Sequence, residues 1–165
     1  MHEINCLPDW NNHMQIALYQ PDIPQNTGAL LRLAACLDTG VHIIEPAGFD
    51  ASERALRRAG LDYIEHARIT RHVSFEAFEL WRKQSDQRLV LLTTQAKTPY
   101  TSLSYKKDDI LMLGRESAGV PDEVQEIADE RILVPMAKER RSLNLVTAAA
   151  MVLGEGLRQT DGFAR

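Results

Sequence analysis

Short apolar runs alternate with longer amphipathic stretches along most of this chain. Gln15-Ile16-Ala17-Leu18-Tyr19 reads as a first strand, stopped by Pro21 and Pro24. Asn26 or Thr27 can cap a helix through Leu30, Leu31, Leu33, Ala34 and Leu37, ending near Gly40. Val41-His42-Ile43-Ile44 is the next strand, stopped by Pro46 and Gly48. A short basic helix spans about Ser52 to Ala59, and Tyr63 to Ile69 reads as another strand. Ser74 caps a helix through Phe75, Phe78, Leu80 and Trp81, followed by the apolar strand Arg88 to Leu92. Lys97 to Lys107, with Pro99 and several hydroxyl residues, is the longest expected loop. Two further strands, Asp109 to Leu113 and Arg131 to Val134, flank a helix opened by Pro121. A last helix runs from about Leu143 to Arg158. The alternation predicts an α/β fold, a mostly parallel sheet flanked by helices on both faces.

Composition narrows the class. A chain of 165 residues predicts one domain, here residues 14–165, after a polar N-terminal tail at residues 1–13. Apolar content of 44% and charged content of 25% suit a soluble globular protein. No apolar run is long enough for a membrane span, and the start lacks a signal peptide's apolar core, so a cytoplasmic location is expected. Cys6 and Cys36 match no metal or redox spacing and read as reduced thiols. A net charge of −4 argues against a general nucleic-acid coat protein, while leaving room for local basic patches.

Three segments carry the candidate chemistry: Pro24-Gln25-Asn26-Thr27-Gly28 with Arg32, Leu113-Gly114-Arg115-Glu116-Ser117-Ala118-Gly119-Val120-Pro121, and Arg141-Ser142-Leu143-Asn144-Leu145. The last two join a strand to a helix, where α/β proteins gather backbone N–H groups and ligands. The Gly114 to Gly119 spacing fits half a phosphate loop, but Val120 and Pro121 stand where Lys and Ser/Thr are needed, which excludes an ATPase or GTPase. No dinucleotide fingerprint follows the first strand. Taken singly, each segment also has a plain reading. The glycines can serve a turn, Ser142 or Asn144 can be a helix cap, and Arg32 can be a solvated arginine.

Together, in this order and spacing, the segments resemble the motifs of the SPOUT-class (TrmH/SpoU-like) RNA 2′-O-ribose methyltransferases. Within that class the single-domain length is similar to small enzymes acting on the tRNA wobble nucleotide. So are Ile43-Ile44-Glu45-Pro46, Leu56-Arg57-Arg58-Ala59-Gly60-Leu61-Asp62-Tyr63 and Leu92-Thr93-Thr94. The resemblance implies a deep C-terminal trefoil knot, which periodicity could never suggest because knots are nearly absent from proteins. It implies S-adenosyl-L-methionine as methyl donor, with S-adenosyl-L-homocysteine as product, no metal, and a homodimer. It places the donor against Leu92, Thr93, Gly114, Glu116, Val134, Pro135, Ser142, Leu143 and Asn144, several of them through backbone groups. It makes Arg32, Asn26, Glu116, Ser142 and Asn144 the catalytic set. A guanidinium stays protonated in proteins, so the role open to Arg32 is to bind a phosphate beside the ribose and favour the alkoxide.

The implied substrate is the 2′-hydroxyl at position 34 of a tRNA anticodon loop. RNA needs a positive surface, and the candidates are Arg54, Arg57, Arg58, Arg71 and His72, with Lys138, Arg140 and Arg141 beside the site. The last helix is apolar around much of its circumference, with Ala148, Ala149, Gly154 and Gly156 offering close approach, which predicts a two-fold dimer through it. Two alternatives remain open at this level. One is a 2′-O-methyltransferase for another tRNA or rRNA position, and the other a non-catalytic RNA-binding module on the same scaffold.

Overall fold

The computed structural model describes residues 12–58, 64–140 and 142–164. The tail through residue 11 with Cys6, the stretch 59–63 and Arg141 lie outside them. Seven strands, β1 (Gln15–Tyr19), β2 (Gly40–Ile44), β3 (Ile69–His72), β4 (Leu89–Leu92), β5 (Thr98–Pro99), β6 (Ile110–Leu113) and β7 (Glu130–Leu133), form one sheet. Among the described residues five α-helices accompany them: α1 (Pro24–Cys36), α2 (Glu53–Arg58), α3 (Phe75–Gln84), α4 (Asp122–Ile127) and α5 (Leu145–Thr160).

Every strand pair is parallel, in the order β3-β2-β1-β6-β4-β7-β5. The side-chain period of two splits the core into two layers. Ile16, Leu18, Val41, Ile43, Leu111 and Leu113 face α1 and α5, packing with Leu30, Leu31, Val152 and Leu153. Ala17, Tyr19, Ile44, Leu91 and Met112 face the other way, onto Phe78 of α3 and Val124 of α4. Burial on both faces is why β6 reads as an unbroken apolar run and why β1 and β2 are apolar apart from Gln15 and His42. The second half of the sheet is interleaved. After β4 and β5 the chain returns to lay β6 between β1 and β4, then crosses back to insert β7 between β4 and β5.

Two expectations need correction. The strand read over Tyr63 to Ile69 is a 3-10 turn at Ile64–His66, and the strand begins at Ile69, set by its register Val41↔Ile69 with β2. Its pattern is faint because β3 is an edge strand in which only His72 is buried. The long loop from Lys97 holds β5 and a 3-10 turn, Tyr100–Ser102, with Thr98 and Pro99 beside Ile132 and Leu133. Proline is tolerated there because β5 is also an edge.

The α3 layer buries polar groups as well. His42 Nδ1 and His72 Nε2 are hydrogen-bonded at 3.0 Å, His42 Nε2 lies 2.5 Å from Gln15 Oε1, and Trp81 packs 4.5 Å from the His42 ring. Arg82 is buried with every nitrogen bonded. Nε and Nη2 donate to Glu79 at 2.7 and 2.5 Å, and Nη1 donates to the Gln87 carbonyl at 2.6 Å and to Asp129 at 2.9 Å.

A candidate active site at the carboxyl ends of the central strands

Because the sheet is parallel, β4, β6 and β7, adjacent in space, all end on one rim, where open α/β sheets bind ligands. Leu92 leads into Thr93, Leu113 into Gly114 and Leu133 into Val134. After β6 the chain doubles back tightly. Arg115 N–H donates to the Gly119 carbonyl at 3.1 Å, and Gly119 N–H returns to the Arg115 carbonyl at 2.8 Å. A Cβ on Gly114 would stand 2.8 Å from the Gly119 carbonyl carbon, and Gly119 has φ +63°. Glycine is therefore required at both ends of this turn.

The turn is tied to the other two segments by a chain of hydrogen bonds. Glu116 N–H donates to Asp22 Oδ1 at 3.1 Å, and the Ser117 hydroxyl donates to Asp22 Oδ2. Asn26 Nδ2 donates to Glu116 Oε1 at 3.3 Å, and Asn144 Nδ2 donates to Asn26 Oδ1 at 3.4 Å. Asn144 Oδ1 accepts from the amides of Val146 and Thr147, capping α5. Helix α1 is started by Pro24 behind Ile23, with no side-chain cap. That leaves the Asn26 side chain available to Glu116. Burial first, and the Asp22 carboxyl next, raise the Glu116 proton affinity. Asp22 is held down at about 2, chiefly by hydrogen bonding with the Glu116 carboxyl and then by Ser117. A proton entering this pair settles on Glu116.

The rim encloses a cavity of about 700 Å³. Asn26, Leu92, Thr93, Gly114, Glu116, Val134, Ser142, Leu143 and Asn144 line it, as do Lys138 and Arg140. Pro135 is not in the lining; it is exposed between Val134 and Met136. Arg32 is exposed on α1, also outside the lining. Arg54, Arg57 and Arg58 stand on α2, outside the cavity lining, and Arg57 is ion-paired with Glu53 and Glu65, each at 2.6 Å. Arg71 donates to the Ala51 carbonyl and to Glu45. His72 is a correction to the basic surface: it is buried, and burial lowers its proton affinity, so it brings no positive charge there. Among the described residues no cluster of His, Cys, Asp or Glu could hold a metal ion.

Sequence reasoning missed Asp22 and Arg115. Asp22 stands four residues before Asn26, and its signal was the need of a tight turn with inward amides for an acceptor. Arg115 lies inside the second segment, where the pattern singles out only its glycine and glutamate neighbours.

The sequence profile of the SpoU rRNA methylase family matches residues 13–154. The chain belongs to that family. A tRNA (cytidine(34)-2′-O)-methyltransferase of Beijerinckia indica is 55% identical over 150 residues, covering 91% of this chain and 94% of the relative. A solved structure described as giving insight into 2′-OH methylation of C/U34 on tRNA superposes with a TM-score of 0.82 at 37% identity, covering 90% of this chain and 97% of that one. An AdoMet-bound rRNA methyltransferase from Sinorhizobium meliloti superposes at 0.80 with 26% identity, over 88% of this chain and 56% of that one. The parallel sheet with interleaved C-terminal strands agrees with the knotted α/β architecture of this SpoU-type fold.

Proposed function

We infer that this SpoU-family chain is an S-adenosylmethionine-dependent tRNA methyltransferase acting on the ribose 2′-hydroxyl of the wobble nucleotide, position 34 of the anticodon loop. One observation carries the reading from geometry: the three motif segments meet at a single cavity, joined through Asp22, Glu116, Asn26 and Asn144.

The cavity fits the methyl donor. Its volume is in the usual range for small-molecule sites. Leu92, Leu133, Val134 and Leu143 offer apolar walls suited to an adenine ring. Gly114 and Gly119, at the two ends of the turn, bring backbone rather than side chain to the rim. When bound, S-adenosylmethionine supplies the electrophilic methyl group. The protein's share is alignment and charge. Asn26 and Asn144 fix the Glu116 carboxyl and the start of α5 relative to each other. Glu116, with its raised proton affinity, offers the cavity a carboxyl that can hold a proton. Lys138 and Arg140 place positive charge on the rim, where an RNA backbone has to pass. Arg32, exposed on α1, serves phosphate binding from there.

We also propose a homodimer through α5, with α1 as its neighbour. Supporting this, α5 packs on α1 and keeps Met151 about 40% exposed, with Val146 and Ala148 half-buried. Gly156 plays a different part from the one expected. A Cβ there would strike Met14 of the same chain, so its smallness serves the protomer's own core. Sedimentation equilibrium reads the assembly, and a monomer at micromolar concentration contradicts it.

The function is tested by incubating the protein with tRNA and isotope-labelled donor, then sequencing labelled nucleosides by mass spectrometry. The expected product is a 2′-O-methylated cytidine or uridine at position 34. Label on a base, label at another position, or no label in tRNA overturns the assignment.

A further inference from the structure

Arg115 directly follows β6, lines the cavity, and has its backbone locked by the two hydrogen bonds to Gly119. Its side chain is half-buried, with the guanidinium carbon 5.9 Å from the centre of the Tyr19 ring. Nε is buried and has no hydrogen-bond partner, and among the described residues the guanidinium makes no hydrogen bond or ion pair. Glu116 is turned to Asp22 and Asn26 instead. Glu76 and Glu123, which act electrostatically on Tyr19, form no pair with it. Buried N–H groups in folded proteins are almost always satisfied, and an orphan calls for a reason. An arginine fork is shaped to bind carboxylate or phosphate oxygens two at a time.

We propose that Arg115 grips an oxyanion of the bound substrate, so that the ligand supplies the hydrogen bonds the folded chain leaves open. This rests on the reading of the cavity as the donor and RNA site. Two sources share the chemistry: a phosphodiester beside the reacting ribose, and the amino-acid carboxylate of the donor. The ring of Tyr19 holds the cation in place without consuming its donors.

The test is Arg115→Met, which keeps an unbranched apolar stem and removes the donors, with Arg115→Lys and Arg115→Gln as companions should the first not fold. Calorimetry measures S-adenosylhomocysteine and 5′-methylthioadenosine, the thionucleoside in which a methyl replaces the whole amino-acid chain, carboxylate and ammonium together. Kinetics measures KM for tRNA at several salt concentrations. If the donor carboxylate is the ligand, S-adenosylhomocysteine binding weakens about tenfold, 5′-methylthioadenosine binding is unchanged, and lysine restores part of the loss. If RNA phosphate is the ligand, both thioethers bind as before, KM for tRNA rises about tenfold, and the slope of log affinity against log salt falls by about one. A variant of normal Tm with unchanged S-adenosylhomocysteine affinity and unchanged KM overturns the proposal. So does an equal loss for both thioethers, which reports a distorted cavity. Failure of the wild-type protein to bind S-adenosylhomocysteine or methylate tRNA brings down the functional reading itself, and the Arg115 assignment with it.

Discussion

Arg82 and Arg115 are both withdrawn from water, and the difference between them separates scaffold from site. Arg82 is surrounded by acceptors from three segments: Glu79 on its own helix, the Gln87 carbonyl, and Asp129 before β7. Nothing is left for a ligand to do. Arg115 has an aromatic ring, a rigid turn and no acceptor. A buried charge satisfied from within holds elements together, whereas one with open donors stores binding capacity. The histidine pair sorts with Arg82: His42 and His72 bond to each other, His42 also meets Gln15, and aromatic rings enclose them. The Asp22–Glu116 pair sorts with Arg115, because its hydrogen bonds lead into the cavity lining.

The contrast can be broken most directly at Arg82. Arg82→Ala leaves buried Glu79 with only the more distant, exposed Lys83 at 3.9 Å, an expected loss of about 3 kcal/mol, or roughly a 10 °C fall in Tm. Thermal unfolding reads it, and S-adenosylhomocysteine affinity of the folded variant is expected to stay normal. An unchanged Tm erases the distinction drawn here. The next largest effect is acid sensitivity. Burial, with the neighbouring His72 adding to it, pushes His42 down from 6.5 to about 3. Above pH 6.5 both folded and unfolded chains carry it neutral and the full stability is present. As pH falls toward 3 the unfolded chain binds the proton first and stability is lost. Between pH 7 and pH 5 this one group removes about 2 kcal/mol, measurable as a lower denaturant midpoint, and His42→Gln flattens that slope. The smallest effect sharpens the site side of the comparison. Asn144→Ala removes the cap of α5 and the link to Asn26, lowering stability by about 1 kcal/mol. Methyl transfer is expected to fall further than the folded fraction. A loss confined to stability reduces Asn144 to a cap.

Strands buried on both faces were the easiest part of this chain to read. β1 was placed residue for residue, and β2, β4, β6 and β7 within one residue at either end. The edge strands were not, because β3 and β5 get their pairing from a neighbour and show little hydrophobic pattern of their own. The interleaving was invisible to periodicity, since a strand's neighbours leave no mark on its own residues; the resemblance alone suggested it. In the site, Asn26, Glu116 and Asn144 stood out only through the family resemblance, since each segment alone reads as a turn or a cap, and the structure adds the hydrogen bonds that join them. Asp22 was not readable, because an aspartate between prolines looks like turn chemistry until the Glu116 amide is seen pointing at it.

The two borders of the sheet are both blunt. One is β3, four residues long and carrying the charged Arg71. The other is β5, two residues long and closed by Pro99, which has no N–H to offer. Short, charged or proline-closed borders resist the addition of a foreign strand. Growth of the sheet into a second molecule, the route by which many parallel folds polymerise or misassemble, is thereby discouraged at either end. The proposed pairing through α5 leaves both borders of the sheet unused.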